Sequence, residues 1–201
     1  YKLGNVNKET AYALKTFEIE EPLTLDSVDE NCEVALVDHN EFTQSVSGIE
    51  KAKIKMVVDH HKIKFETKEP MYYIAEPLGC TGTILYKLYK QNDVDIDSQM
   101  AGLMLSAIIS DTLLFKSPTC TEQDREIANK LASIAGVDIE SYGKEMLNRA
   151  HILEAVTLLN KHILLDMKPR KATHVNPFID KVLSYINEHY KEDLSLEQLA
   201  G

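Results

Sequence analysis

Ile54-Lys55-Met56-Val57-Val58-Asp59-His60-His61 is a short apolar run that ends abruptly in a carboxylate and two imidazoles. Upstream, Glu33-Val34-Ala35-Leu36-Val37-Asp38 has the same form. Both runs are rich in β-branched residues and have the length of buried strands. Tyr72-Tyr73-Ile74-Ala75 is a weaker third run. Helical spacing surrounds them: Asn7 to Phe17, with Ala11, Leu14 and Phe17 on one face, then Thr83 to Tyr89, Ser98 to Ile109 and Glu122 to Ala135. Thr121-Glu122-Gln123-Asp124 supplies a capping box for the last. Strands alternating with helices predict an α/β fold, a parallel sheet flanked by helices.

The pattern changes near Ala150. Residues 1–150 form the alternating part, and residues 151–201 read as an all-α tail: Ile152 to Leu165, Phe178 to Tyr190 and a start at Ser195. Asn176-Pro177 and Ser195 with Gln198 are helix-start signals, and Met167 to Thr173 is a linker between helices. The 201 residues carry a formal net charge of −10, and nearly all of that excess precedes residue 151. With 44% hydrophobic and 27% charged residues, neither a disordered nor a fibrous chain is expected. The acidity argues against a nucleic-acid coat and suits a protein that gathers divalent cations. No apolar run approaches the roughly 20 residues of a membrane span. Cys32, Cys80 and Cys120 lie far apart with no CxxC, so neither disulfides nor structural zinc is expected, and the compartment implied is the reducing cytoplasm. The chain opens without Met and stops inside a helix-like segment, which suggests a fragment.

Three carboxylates stand directly after apolar segments: Asp38, Asp59 beside His60 and His61, and Asp111 after Ala107-Ile108-Ile109-Ser110. The carboxyl ends of parallel strands meet in one crevice, so Asp38 and His60 are expected to converge there, with Asp111 joining from a helix terminus. A carboxylate against an apolar wall is costly unless it is paired, hydrogen-bonded or metal-bound. Any single Asp here is as well read as a helix cap or turn residue. The set of three with the adjacent histidines favours a divalent metal, and this donor mix suits Mn²⁺, Fe²⁺, Co²⁺ or Zn²⁺ better than Ca²⁺. Asp59 is expected to orient an imidazole rather than bind metal. Alternation along an extended segment predicts that His60 and His61 point oppositely and do different jobs. Leu78-Gly79-Cys80-Thr81-Gly82-Thr83 opens a helix and suits either an anion or a plain cap; Ser117-Pro118-Thr119-Cys120-Thr121, near Lys116, has the same two readings. Among the other histidines, His39 stands out beside Asp38.

Val-Asp-His-Asn-Glu at 37–41, Val-Asp-His-His at 58–61, Pro-Leu-Gly-Cys-Thr-Gly-Thr at 77–83 and Ile-Ser-Asp-Thr-Leu-Leu-Phe-Lys-Ser-Pro-Thr at 109–119 resemble the family II, manganese-dependent inorganic pyrophosphatases of the DHH phosphoesterase superfamily. Leu-Gly-Asn-Val-Asn-Lys-Glu-Thr at 3–10 fits as well, and the resemblance runs in order over about residues 1–149. It implies a phosphoanhydride hydrolase in which a hydroxide activated by two metals splits pyrophosphate into two phosphates. Position by position, Asp38 would bridge two Mn²⁺, His60 and Asp111 would complete the second metal site, and His61 would hydrogen-bond the substrate. Co²⁺ is a possible substitute, and Mg²⁺ would arrive with the pyrophosphate. The runner-up within enzymes is a related phosphoesterase acting on oligonucleotides or polyphosphate.

Two elements of that family have no counterpart here: a first metal motif of His and two Asp, and a C-terminal domain whose Arg and Lys grip pyrophosphate. The implied domain is therefore N-terminally truncated, and little hydrolysis is expected from it alone. Residues 176–201 resemble the opening of an AraC-type helix-turn-helix domain, so a non-catalytic fusion to a regulator is the bolder alternative. The recognition helix would follow Gly201 and the segment lacks a basic stripe, which argues against DNA binding. A homodimer paired through an edge strand is compatible with such a sheet.

Overall fold

In a computed structural model, residues 1–67 and 69–148 are described. The helices expected at 152–165 and 178–190, the linker between them, the start at Ser195 and the boundary near 150 lie outside the described residues. The elements run α1 (Lys8–Thr16), β1 (Glu33–Val37), a short 3₁₀ turn (Phe42–Gln44), β2 (Lys53–Asp59), β3 (Tyr72–Ala75), α2 (Thr81–Gln91), α3 (Ser98–Thr112) and α4 (Glu122–Ala135). Residues 139–148 are again helical. The sheet is parallel in the order β1-β2-β3, with Val37 opposite Val58 and Val58 opposite Ile74. The α/β reading is therefore correct, and the expected strands are all found.

Two helices are longer than their patterns. α2 begins two residues early, because Cys80 caps it by accepting from the Gly82 amide. α3 continues past Ile109 to Thr112, which carries Asp111 inside its last turn. It stops there because Leu113, Leu114 and Phe115 are all left-handed, at φ 49°, 51° and 66°. The Thr112 hydroxyl accepts from the Phe115 amide and the Arg125 guanidinium donates to the Phe115 carbonyl, so both ends of this reversal are held.

A register irregularity between β1 and β2 sets the phase of the sheet. Val34 faces Ile54 but Ala35 faces Met56, which leaves Lys55 as the extra residue of a bulge. Side chains alternate on a regular strand, so Ile54 and Val57 would point oppositely. The bulge puts both on one face, in a cluster with Leu36 and Ile49 that Phe42, Val46, Phe65, Met71 and Tyr73 cover. On the other face Val58 packs with Leu78 and with Ile84 of α2.

The largest core is helical and is centred on α3, whose Ala101, Met104, Leu105, Ile108 and Ile109 meet Ile127, Ala128 and Leu131 of α4 and Tyr142 and Met146 beyond it. Gly102 is required where α1 ends against this helix. A Cβ there would lie 2.5 Å from the Phe17 ring. Among the described residues no helix is long and apolar enough to cross a membrane.

Candidate metal centre

β1 and β2 run parallel and end side by side, so Asp38 and the Asp59-His60-His61 turn leave the same edge of the sheet. The Asp38 amide still donates to the Val58 carbonyl at 2.9 Å, one rung beyond β1. Its backbone then turns left-handed, at φ 65°, a conformation in which Asp is several-fold enriched among non-glycine residues. Its Oδ1 comes to 3.6 Å from His60 Nε2. One ligating atom each from Asp38, His60 and His61 lies within 4.8 Å of the others.

The expected alternation of the two histidines is not what forms. β2 ends at Asp59, and residues 60 and 61 lie in a bend. Asp59 Oδ1 accepts from the amides of both, at 2.8 and 3.2 Å. That local turn curls the backbone away from the strand geometry on which alternation depends. The rings therefore meet edge to face, 4.2 Å apart, on the Asp38 side.

Each imidazole has one nitrogen engaged. His60 Nδ1 donates to the Leu78 carbonyl at 3.0 Å and His61 Nδ1 to Asp59 Oδ1 at 2.7 Å. With the Nδ1 protons so committed, each Nε2 is free to ligate while the ring is neutral, and it donates to an anion only when the ring is doubly protonated. Asp59 is fully buried, and burial by itself pushes its carboxyl up. Bonds from His61, Asn40 and the two amides overcome this and hold it below the ordinary value. In return, the hydrogen bond to Asp59 is the main reason His61 sits above its ordinary value, with burial opposing and the charges of Asp59, Asp38 and Asp111 assisting.

Asp111 opens to the crevice from the last turn of α3, outside the tight three-residue cluster. Desolvation raises its carboxyl and the Asp38 charge adds to this, while a bond from the Cys80 thiol and the charges of His60 and His61 oppose. A carboxylate raised in this way by its neighbour's charge is eased by a bound cation. His39 does not join: its ring nitrogens meet the Val37 carbonyl at 3.0 Å and Ser45 Oγ at 2.8 Å.

The two hydroxyl-rich loops resolve toward structure. Asp124 itself takes up donors at the start of α2, accepting from the Gly79 amide at 2.9 Å and from Thr83 Oγ1 at 2.5 Å. It also accepts from the Thr121 amide and hydroxyl, completing the capping box of α4. A resident carboxylate thus fills much of the place that would otherwise suit an external anion. Thr121 is that helix's cap, and Ser117 bonds Thr119 within its own loop. Sequence reasoning gave no role to Asn40, to the Leu78 carbonyl or to Asp124 beyond its capping box. Nothing in local pattern marks a residue whose partners stand 18 to 45 positions away.

Parallel strands whose ends present a carboxylate and a His-His pair define a DHH-type domain. The chain belongs to the DHH family: the N-terminal domain of that family matches residues 6–108, which include Asp38, Asp59, His60 and His61. Among curated relatives, a protein of Oceanobacillus iheyensis named probable manganese-dependent inorganic pyrophosphatase is 60% identical over 147 residues, 73% of this chain and 48% of the relative. One of the same name from Staphylococcus carnosus is 61% identical over 150 residues, covering 73% and 48%. A Methanococcus jannaschii crystal structure described as a "putative family II inorganic pyrophosphatase" superposes with a TM-score of 0.70 at 43% identity, over 73% of this chain and 51% of that one. The chain spans about half the length of the curated relatives it matches.

The names of those relatives imply manganese. One carboxylate and two imidazoles with uncommitted Nε2 atoms are a donor mix that suits it.

Proposed function

We propose that this chain supplies part of the catalytic centre of a manganese-dependent inorganic pyrophosphatase. The observation that carries the reading is the convergence of Asp38, His60 and His61, with both Nδ1 atoms tied down and His60 Nε2 turned to Asp38. Asp38, His60 and Asp111 are the residues that would hold manganese. Bound there, a pair of such ions supplies Lewis-acid activation of water and neutralises the charge of a phosphoanhydride.

The chain's own residues do the rest. In its imidazolium form His61 donates from Nε2 to a phosphoryl oxygen of pyrophosphate, while Asp59, accepting from Nδ1, keeps that nitrogen protonated and the ring aimed. The Leu78 carbonyl does the same for His60. Asp111 is raised by desolvation and by the Asp38 charge, an effect that a cation bound between the two carboxylates would oppose. One water is consumed and two phosphates leave.

The test has two parts. Titration of the 201-residue chain with Mn²⁺, followed by paramagnetic broadening of the His60 and His61 signals, is expected to give binding that Asp38→Asn weakens. The same residues, joined to the remaining half of a full-length relative, are expected to release phosphate from pyrophosphate and not to cleave a short oligonucleotide. The aligned part is only about half of those relatives, so the chain by itself is expected to turn over little. Binding that ignores Asp38→Asn, or preference for the oligonucleotide, refutes the assignment.

A further inference from the structure

Asn40 is 1% exposed, and its amide ties the segment after β1 to three residues of one stretch, 59–64, about twenty positions away. Nδ2 donates to Asp59 Oδ2 at 2.6 Å and to the Lys62 carbonyl at 3.0 Å, and Oδ1 accepts from the Lys64 amide at 2.6 Å. A carbonyl at one residue and an amide two residues on is the pair that a neighbouring strand would engage. The Asn40 side chain therefore stands in for a strand, and it fastens residues 62–64 immediately after the histidine pair.

Its bond to Asp59 matters for a different reason. Rotation about the last torsion of an aspartate is soft and nearly two-fold. The two oxygens of Asp59 nevertheless have separate partners: Oδ1 takes His61 Nδ1 and the amides of His60 and His61, and Oδ2 takes Asn40. Without the amide on Oδ2 that buried oxygen has no donor, and the carboxylate is anchored at Oδ1 alone. The requirement at residue 40 is two donors and one acceptor on a short stem. Asp offers acceptors only, against the acceptors Asp59 Oδ2 and the Lys62 carbonyl. Ser is too short to reach all three partners.

We propose that Asn40 is a positioning residue that acts through Asp59 to fix the tautomer and direction of the His61 imidazole at the Asp38 cluster. The inference rests on His61 serving that site as described above, and the experiment separates the two. Long-range ¹H–¹⁵N spectra of the metal-free chain, recorded well above the imidazole titration, report the tautomer of each histidine. In the wild type, His61 is expected to be protonated at Nδ1.

In Asn40→Asp that Nδ1–H signature is expected to be lost or mixed, while His60, held independently by Leu78, keeps its own. A role in folding alone moves both histidines or neither. Asn40→Ser brings no new charge into the pocket and carries the same expectation if the Asp variant does not fold. An unchanged His61 tautomer in either folded variant, or equal changes at His60 and His61, overturns the proposal. Mn²⁺ added to the wild type decides the metal reading separately: absence of broadening at His60 and His61 sinks that reading and leaves the tautomer result standing.

Discussion

Replacing Asp124 with Asn tests whether a buried, unpaired negative charge holds the helical layer to the loop that carries Leu78. The carboxylate is fully buried and accepts four bonds: from Gly79 N, Thr83 Oγ1, Thr121 N and Thr121 Oγ1. Burial opposes its ionisation, and those four donors overcome it, leaving the carboxyl below its ordinary value of 3.8. Hydrogen bonds to a charged group contribute about 1.5–3 kcal/mol each, against about 0.5–1.5 for neutral ones. Weakening four by about 1 kcal/mol gives a gross loss of about 4, of which the easier burial of a neutral amide returns about 1–2. The expected net loss is about 2–3 kcal/mol, or roughly 5–10 °C in Tm for a domain of this size. Asp124→Ala is worse, at about 3–6 kcal/mol, because it strands buried donors.

Urea unfolding followed by circular dichroism measures this, and pH supplies an internal control. A carboxyl lowered in the folded state stabilises it above the unfolded value, and that stability is lost as pH falls through the folded value. The gap between wild type and Asp124→Asn is therefore expected to narrow below pH 3.8. An Asn variant within about 0.5 kcal/mol of wild type at neutral pH, or a gap that stays constant in acid, refutes the reasoning.

Gly102→Ala drives a methyl into the Phe17 ring and is expected to cost about 1–3 kcal/mol, read as a lowered urea midpoint with an unchanged slope. Asp59→Asn removes the main cause of the upward shift of His61, so an NMR titration is expected to find that imidazole back toward 6.5; an unmoved value excludes Asp59 as the cause. The pair also has a stability window. His61, raised, contributes below 6.5 and loses its share as pH rises through its folded value, while Asp59, lowered, contributes above 3.8 and loses its share as pH falls through its own. Mn²⁺ at about 100 times its dissociation constant is expected to stabilise the chain by about 2.7 kcal/mol, and chelation or Asp38→Asn to abolish the gain in a thermal melt.

Much of this protein was legible without coordinates. Two apolar runs ending in Asp38 and Asp59-His60-His61, set among helical repeats, determine a parallel α/β sheet with a polar crevice at its carboxyl edge. Hydrophobic period and strand length are local properties, and a linear pattern records them. The capping box at Thr121 and Asp124 was readable for the same reason.

What the tertiary structure decided depends on contacts between distant segments. The bulge at Lys55 puts Ile54 and Val57 on one face, because the pairing of β2 with β1 absorbs a residue that no pattern within β2 reveals. Asp59 curls the chain so that His60 and His61 share a side, where alternation alone sends them apart. Asp124 fills the start of α2 from 41 residues away, and Asn40 secures Asp59 from 19. A buried polar group must find its partners wherever the fold brings them. The residue types at this centre were therefore written in the sequence, and their orientation was settled only by the packing around them.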